Sequence, residues 1–341
     1  MLEQFYRNKK VLITGHTGFK GSWLTTWLTT LGAEVIGVSI NVPTEPSNYV
    51  ASRLEARTEN HRLDVTDYEA IRKVIHDTRP DFVFHLAAQT SHLHSMESPL
   101  QDLQDNCGVT LALLEACRLL CPSASIVVPG TVTQAGRVAA VPVAENHPDW
   151  PLTLYDAHKL TCEKYLYVYH QNYGLKTAML RLANVFGERQ QVNNPRRGIL
   201  NFMLWRAMTG RPLTIYEPGD FVRDYSYVQN VVDALLLVAS SPRAVGRAYV
   251  FGSGTGLQFQ EMVAQIVDAV HDVVGVKSEI QRVPFPSDEE KMDVGDFIAD
   301  NRKLRMETGW FPRVSFADGL RKTIQFYHER LKESIGEQQD L

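Results

Sequence analysis

The stretch that decides the fold is Lys10-Val11-Leu12-Ile13-Thr14-Gly15-His16-Thr17-Gly18-Phe19-Lys20-Gly21, an apolar run followed by three glycines at intervals of three residues. Glycine adopts backbone angles that other residues avoid, and it lets a ligand reach the main chain where a Cβ would intervene. The unpaired N–H groups of a first helical turn attract negative charge. The stretch therefore predicts a strand, a tight turn at Gly15 and Gly18, and a helix whose start binds phosphate, with Gly21 packing closely on the strand.

The glycine spacing is G-x-x-G-x-x-G rather than the dinucleotide fingerprint G-x-G-x-x-G, so the glycines alone leave a purely structural turn open. The surrounding pattern favours a nucleotide site. From Phe19 to Leu31 the apolar residues fall on one helical face, and Gly32 is typical of a helix end. A strand before the glycines and an amphipathic helix after them are the context that a dinucleotide site requires.

Strand and helix patterns alternate through most of the chain. Strands are predicted at 34–40, 62–65, 81–87, 125–129 and 177–183, and helices at 67–77, 100–120 and 155–173. The alternation continues to Val238 and predicts an α/β fold with a doubly wound parallel (Rossmann) sheet. We expect a dinucleotide-binding domain of residues 1–183 plus 219–251. Residues 184–218 plus 252–335 carry much of the Pro and Gly and are predicted to form a smaller C-terminal substrate-binding lobe over the carboxyl ends of the strands.

Composition excludes several classes of function. Of the 341 residues, 44% are hydrophobic and 22% charged, which is typical of a globular protein. A net charge of -4 provides no basic field for nucleic acid. Residues 1–10 contain no apolar leader segment, and apolar runs such as Ala234 to Ala239 are too short to span a bilayer, so we expect a cytosolic protein with no membrane partner.

Cysteine and histidine spacing predicts no metal site. The cysteines form no C-x-x-C pair, and Cys117 and Cys121 are one helical turn apart in an apolar stretch, so we interpret them as reduced core thiols. His85, His92 and His94 lack a matching carboxylate or thiol cluster and are interpreted as pocket-wall or core histidines.

The end of the second predicted strand bears on the choice of cofactor. An acidic residue there usually binds the adenosine ribose, but the chain has Ser39, Ile40 and Asn41, and the next arginine that could bind a 2′-phosphate is Arg53. NAD is therefore preferred over NADP. Asp64 either reaches the adenine edge or caps the next helix. The small residues of Ala87-Ala88-Gln89 let a cofactor lie close to the backbone.

Tyr155 and Lys159 are four residues apart, so they share one face of a predicted helix. The positive charge of the lysine is expected to lower the tyrosine pKa, and its ammonium group can also hold a ribose hydroxyl. By itself the pair is more often a contact on the protein surface. Thr131 ends the fifth predicted strand and can pass a proton from a substrate hydroxyl to Tyr155, which is the arrangement needed to oxidise an alcohol.

Together these residues resemble the extended short-chain dehydrogenase/reductase family of sugar-nucleotide epimerases and dehydratases. The resemblance covers almost the whole chain and implies bound NAD, a catalytic set of Thr131, Tyr155 and Lys159, and a nucleoside-diphosphate sugar held by the smaller lobe. It also implies a homodimer formed through the helices at 100–120 and 155–173. The segments that carry it are Gly15 to Gly21, Asp64, His85 to Gln89, Asn106, Tyr155 to Lys159, Phe221 to Tyr225, Asp300 to Leu304 and Gly309 to Pro312.

The resemblance also implies binding residues. For the cofactor these are Gly15, Thr17, Gly18, Phe19, Gly21, Asn41, Asp64, Val65, Leu86, Ala87, Ala88, Gln89, Asn106, Tyr155 and Lys159. For the substrate they are Gln89, Thr133, Asn184, Arg223 and Lys291. The guanidinium of Arg223 suits a diphosphate, with an ion pair to Asp224 or to another carboxylate as the alternative. Lys291 stands where relatives often carry a second phosphate-binding arginine. Asn106 either takes part in the proton relay or merely distorts its helix.

The motif Gly15 to Leu24 looks closest to the CDP-glucose 4,6-dehydratases. In such dehydratases an Asp followed by Glu or Lys comes directly after the catalytic Ser or Thr, and here those positions hold Val132 and Thr133, which cannot do acid–base work. We therefore expect an epimerase that inverts C4 through a transient 4-keto sugar. A 4-keto-6-deoxy-sugar reductase, a CDP-glucose 4,6-dehydratase-like enzyme and a non-catalytic binding protein remain the alternatives.

Overall fold

The strands and helices alternate as the apolar pattern predicts. The computed structural model describes residues 2–43, 47–192, 198–284 and 295–339. The strands are β1 (Lys10–Thr14), β2 (Glu34–Ser39), β3 (Glu59–Arg62), β4 (Phe82–His85), β5 (Ser125–Thr131), β6 (Lys176–Leu182), β7 (Asn184–Phe186), β8 (Leu213–Tyr216), β9 (Val222–Tyr227), β10 (Arg247–Phe251), β11 (Gly256–Gln258) and β12 (Ile280–Val283). The helices are α1 (Leu2–Tyr6), α2 (Phe19–Thr30), α3 (Asn48–Ala51), α4 (Tyr68–Thr78), α5 (His92–Glu97), α6 (Pro99–Leu103), α7 (Val109–Leu120), α8 (Leu154–Tyr173), α9 (Ile199–Met208), α10 (Val228–Ser240), α11 (Phe259–Val274), α12 (Arg302–Thr308) and α13 (Phe316–Gln339).

Seven of these strands form one sheet in the order β10-β6-β5-β4-β1-β2-β3. Every neighbouring pair in this sheet is parallel. The chain order reverses beside β1, which pairs with β2 on one side and β4 on the other. A crevice opens at such a reversal, outside the carboxyl ends of the strands. The predicted fold class, a doubly wound parallel sheet, is confirmed.

Helices cover both faces of this sheet, so its central strands are apolar on both sides. On one face α2 and α10 contribute Leu24, Leu28 and Leu235 to a continuous core. On the other face α4, α7 and α8 form a second core, to which they contribute Ile75, Leu113 and Leu166 respectively. The two cores hold the carboxyl ends of the strands in a fixed arrangement, which gives the site a rigid base.

Two local predictions were wrong. The continuous helix expected at 100–120 is divided into α6, a π-helical turn at Gln104–Gly108, and α7. In the wide turn the carbonyl of Asn106 accepts a hydrogen bond from the Thr110 hydroxyl at 2.7 Å, and the two alternatives for the role of Asn106 stay predictions. Asp64 does not cap α4, because its carboxylate accepts from the Thr66 N–H at 2.9 Å and the cap is Asp67.

Shorter strands form two further sheets, β11-β9-β7 and β12-β8. Helices α9, α11 and α13 pack against them around a third core. Strand β9 lies within residues 219–251, which were assigned to the dinucleotide-binding domain, and it pairs with β7 and β11. The proposed division into two domains stays a prediction.

A buried carboxylate, Asp224, ties β9 to two later segments of the chain. One of its oxygens accepts from the Ser253 N–H at 2.7 Å, and the other accepts from the Gly254 N–H at 2.9 Å and the Ala299 N–H at 3.1 Å. Burial raises the Asp224 pKa, while these donors lower it. The carboxylate therefore bonds to backbone groups of three residues that lie far from it in the sequence.

Candidate active site at the carboxyl edge of the sheet

The glycine turn after β1 has the close packing that the sequence predicts. Gly15 has a φ of +74°, and a Cβ there would lie 2.8 Å from the Ala87 nitrogen on the neighbouring strand end. A Cβ on Gly21 would lie 2.0 Å from the Gly15 carbonyl oxygen. Gly18 is the N-cap of α2 and supplies no side chain to its first-turn N–H groups. These donors therefore remain available to a phosphate of a dinucleotide.

The strand ends beside this turn are connected by hydrogen bonds. The Thr17 hydroxyl donates to the Asn41 carbonyl at 2.6 Å, and the Ala87 N–H donates to the Thr14 hydroxyl oxygen at 3.1 Å. Asp64 is exposed and Val65 is partly buried just beyond β3. The ends of β1, β2, β3 and β4 thus bring together most of the residues proposed for the cofactor.

A cavity of about 440 Å³ opens at the same edge of the sheet. Its lining includes the predicted catalytic residues Thr131, Tyr155 and Lys159 together with Thr133 and Asn184. Other lining residues come from β4, α2, α5, β7, α9 and β9, and include Lys20, His85, His92, Phe186, Ile199 and Tyr225. The described fold therefore brings together side chains that are distant in sequence but were predicted to act together.

Tyr155 and Lys159 are both buried on α8, and the Lys159 Nζ lies 5.9 Å from the centre of the Tyr155 ring. The expected lowering of the tyrosine pKa is wrong for the ligand-free protein. Burial raises the Tyr155 pKa, and the carboxylates of Asp156 and Asp102 raise it further. Burial also lowers the Lys159 pKa. Spacing predicted the contact, but it could not show how strongly the surrounding protein desolvates both groups.

The direction of the hydrogen bonds in the cavity follows from a series of hydroxyl groups that ends at the Asp156 carboxylate. An ionised carboxylate only accepts, so the Thr133 hydroxyl donates to Asp156. The Thr131 and Thr133 hydroxyl oxygens are 2.6 Å apart, and Thr133 has no second proton, so Thr131 is the donor between them. The Thr131 oxygen also accepts from the Thr133 N–H at 3.2 Å, which leaves one lone pair to accept a hydrogen bond from a substrate hydroxyl.

Asp156 is a buried carboxylate beside the cavity to which sequence analysis gave no role. It is fully buried, and its other oxygen accepts from the Thr153 hydroxyl at 2.7 Å. His92 Nδ1 lies 3.4 Å from the same carboxylate oxygen. The position of Asp156 directly after Tyr155 was visible in the sequence. Its contacts with Thr133 and His92 depend on how α8 packs against the end of β5 and against α5.

The side-chain amides of Gln89 and Asn106 donate hydrogen bonds to a different carboxylate, that of Asp102. The Gln89 amide donates to Asp102 at 2.6 Å, and the Asn106 amide donates to the same oxygen at 3.2 Å. His158 Nδ1 lies 2.5 Å from the other Asp102 oxygen. Neither amide lines the cavity described above. The Asn106 side-chain oxygen is buried and has no hydrogen-bond partner among the residues that the structure describes.

The structure places only some of the residues predicted to bind the substrate in the lining of the cavity. Asn184 lines the cavity, whereas Arg223 does not and places its guanidinium carbon 4.6 Å from the centre of the Phe221 ring. Lys291 lies outside the described residues. Lys20 was missed as a lining residue. Burial, followed by repulsion from Lys159, lowers the Lys20 pKa to about 8.

Other sequence expectations concern metals, thiols and membranes. All four cysteines are buried and free. Within the part of the chain that the structure describes, no cluster of three or more His, Cys, Asp or Glu side chains is arranged to hold a metal ion. Over the same residues, none of the helices has the length and apolar character needed to cross a bilayer.

Comparisons with known proteins agree with this geometry. The family model described as "NAD dependent epimerase/dehydratase family" matches residues 11–252. A UDP-glucose 4-epimerase of Mycolicibacterium smegmatis is 29% identical over 94% of this chain and 99% of its own length. A CDP-glucose 4,6-dehydratase of Salmonella typhimurium is 26% identical over 95% of this chain and 92% of its own length. The solved structure of a Thermus thermophilus UDP-glucose 4-epimerase with NAD is 32% identical, with a TM-score of 0.82 over 94% of this chain and 99% of that one.

Proposed function

This chain belongs to the NAD dependent epimerase/dehydratase family, and we propose that it inverts C4 of a nucleoside-diphosphate sugar through a transient 4-keto sugar. The observation that carries the proposal is the grouping of Thr131, Tyr155 and Lys159 in one cavity beside the glycine turn. Similarity to a UDP-glucose 4-epimerase over nearly its whole length supports it.

The family cofactor is NAD, and the residues of the turn fit it. The first-turn N–H groups of α2 would hold its diphosphate, and the small residues Ala87 and Ala88 would allow it to lie against the main chain. Lys159 would hold a ribose hydroxyl. When bound, NAD supplies the acceptor and donor of the hydride at the sugar carbon.

The protein's own residues bind the hydroxyl of the same alcohol and transfer its proton. Thr131 accepts the hydrogen bond of the sugar hydroxyl, because its own proton is committed to Thr133. Tyr155 takes the hydroxyl proton as the ketone forms and returns it when the alcohol is restored. The ammonium of Lys159 opposes the rise in the tyrosine pKa that burial causes, since a nearby positive charge stabilises phenolate.

We propose that the smaller lobe, built on β7, β9 and β11 and the helices around them, holds the nucleotide end of the substrate. Of the predicted substrate residues, the lobe contributes Asn184 to the cavity, beside Phe186 and Ile199. Arg223 lies on β9, two residues before Tyr225 of the cavity wall. We propose that its side chain reaches the diphosphate when a ligand is bound.

We also propose a homodimer formed by α7 and α8. Leu119 on α7 and Tyr167, Val168 and Tyr173 on α8 are exposed apolar or aromatic side chains. Sedimentation equilibrium is expected to give twice the chain mass, and Val168→Glu is expected to give a monomer. A monomeric wild-type protein would contradict the proposal.

The function is tested by supplying the substrate class directly. CDP-, dTDP-, GDP- and UDP-sugars are screened for a rise in Tm, and the best ligand is followed by NMR without added NADPH. We expect its C4 epimer to accumulate to equilibrium. A 4-keto-6-deoxy product would show a dehydratase instead, and conversion that requires NADPH would show a reductase.

A further inference from the structure

His92 begins α5 and projects into the cavity beside the proposed catalytic tyrosine. Its side chain is 38% exposed, and its ring meets the Tyr155 ring edge to face with 4.9 Å between centroids. The proton transfers at the sugar hydroxyl assigned above use Tyr155 and Thr131, so this imidazole is a titratable group in the cavity that they do not employ.

The hydrogen bonds around His92 determine which of its nitrogens carries the proton. The Thr153 hydroxyl donates to Asp156 Oδ2 at 2.7 Å, so its oxygen can only accept from His92 Nδ1, which lies 3.2 Å away. The Asp156 oxygen is 3.4 Å from the same nitrogen and is also an acceptor. In the neutral ring Nδ1 therefore holds the proton, and Nε2 is the basic nitrogen.

Nε2 has no hydrogen-bond partner among the described residues, and the ring lines the cavity. A histidine whose Nδ1 is held by a carboxylate and a hydroxyl, with a free Nε2 facing a ligand cavity, is arranged as a general base. Asp156 also accepts from Thr133, which occupies one of the two sequence positions where resembling dehydratases carry Asp followed by Glu or Lys.

We propose that His92 is a second catalytic base of this site, which removes the hydrogen from a carbon adjacent to a C4 ketone of the bound sugar. The proposal rests on the proposed function because the ketone is what makes that C–H bond acidic. Nε2 takes the proton, and the C–H electron pair moves into a C–C double bond while the carbonyl pair moves onto oxygen. Return of a proton from Nε2 to the same carbon restores the ketone, and Asp156 positions the ring through Nδ1.

The test supplies the ketone ready-made, so that it does not depend on oxidation by the enzyme. CDP- and dTDP-4-keto-6-deoxyglucose are incubated with the protein in D2O, and deuterium at C3 and C5 is measured by NMR against a protein-free control. We expect the protein to accelerate exchange at one of these carbons. His92→Gln is expected to reduce that acceleration by about 10²-fold or more.

His94→Gln is the matched control, because it makes the same change two residues along α5 at a position outside the cavity lining. It is expected to exchange like the wild type. No protein-dependent exchange with either nucleotide, or equal exchange in His92→Gln and the wild type, would overturn the proposal.

C4 inversion of an ordinary nucleotide sugar is measured on the same variants. Exchange that depends on His92 without any C4 inversion would refute the proposed function and leave this inference standing. C4 inversion without deuterium exchange would refute this inference and leave the proposed function standing. Thermal melts of His92→Gln and His92→Asn show whether either variant has lost its fold.

Discussion

The ammonium nitrogen of Lys159 lies 5.9 Å from the centre of the Tyr155 ring, with both side chains buried one helical turn apart on α8. Burial disfavours the charged form of each group, so the Tyr155 pKa is raised and the Lys159 pKa is lowered. In the ligand-free protein the phenol is therefore protonated at neutral pH, and its conversion to a base depends on positive charge close to the ring.

Tyr155→Phe is expected to reduce turnover of the nucleotide sugar by about 10²–10⁴-fold, since general acid–base catalysis contributes rate factors of this size. Ligand-induced stabilisation should persist, because only one oxygen is removed. Tyr169→Phe makes the same change on the same helix, where the hydroxyl bonds Glu115 at 2.9 Å, and should retain activity. Wild-type turnover in Tyr155→Phe, measured by NMR, would refute the catalytic assignment.

Gly21→Ala is expected to disrupt the turn that approaches the cofactor. The new Cβ would lie 2.0 Å from the Gly15 carbonyl oxygen, which is backbone and has little freedom to move. We expect the free energy of unfolding to fall by about 1–3 kcal/mol, as overpacked sites usually do, and NAD binding measured by calorimetry to be lost.

Gly174→Ala separates crowding from backbone strain. Gly174 has a φ of +69°, and nothing lies within 4 Å of a Cβ built there. This variant should lose roughly 1–2 kcal/mol through left-handed strain and bind NAD like the wild type. Equal loss of NAD binding in both variants would contradict the close-approach role of Gly21.

Thr133→Val removes the hydroxyl that donates to the buried Asp156 carboxylate. An oxygen left without its donor in a buried position costs about 1–3 kcal/mol, so we expect a loss of that size in urea unfolding. Thr133→Ser keeps the donor and should retain most of the stability. A neutral effect of Thr133→Val would mean that Asp156 does not depend on this bond.

The lowered pKa of Lys20 predicts how the stability of the fold depends on pH. Its pKa is lowered from 10.5 to about 8 by burial and by Lys159, so the folded state holds the proton less tightly than the unfolded state. The charged lysine therefore destabilises the fold at pH 7, and this effect disappears as the pH rises from about 8 to above 10.5.

Lys20→Met should accordingly have a higher Tm than the wild type at pH 7, and the difference should vanish by pH 11. Lys176 is exposed, so Lys176→Met should show no such trend. The measurement is a series of thermal melts of the ligand-free protein across this pH range. A difference in Tm that stays constant with pH would contradict the assignment.

Features set by neighbours in sequence were predictable. The glycines of the first turn, the fully buried strand at Phe82–His85 and the Tyr155–Lys159 contact depend on patterns within a few residues of the backbone. Local patterns of this kind reflect the periods of helices and strands, which every sequence displays directly.

Features set by tertiary packing were not predictable. His92 and Asp156 are 64 positions apart, and they meet only because α5 and α8 pack together. The Gln89 amide was expected to bind the ligands, but the fold presents Asp102 to it at 2.6 Å. The effect of burial on the Tyr155 pKa likewise depends on surroundings that a helical repeat does not contain.

The hydrogen bonds of Asp224 to Ser253, Gly254 and Ala299 limit how this protein can be recombined with its relatives. A chimera joined anywhere between Asp224 and Ser253 would inherit the carboxylate from one parent and its donors from the other. In such a hybrid the segments at Ser253 and Ala299 keep their hydrogen bonds to Asp224 only if the incoming chain follows the same backbone path. Crossover points before 222 or after 300 are therefore the ones to choose for exchanging substrate preference.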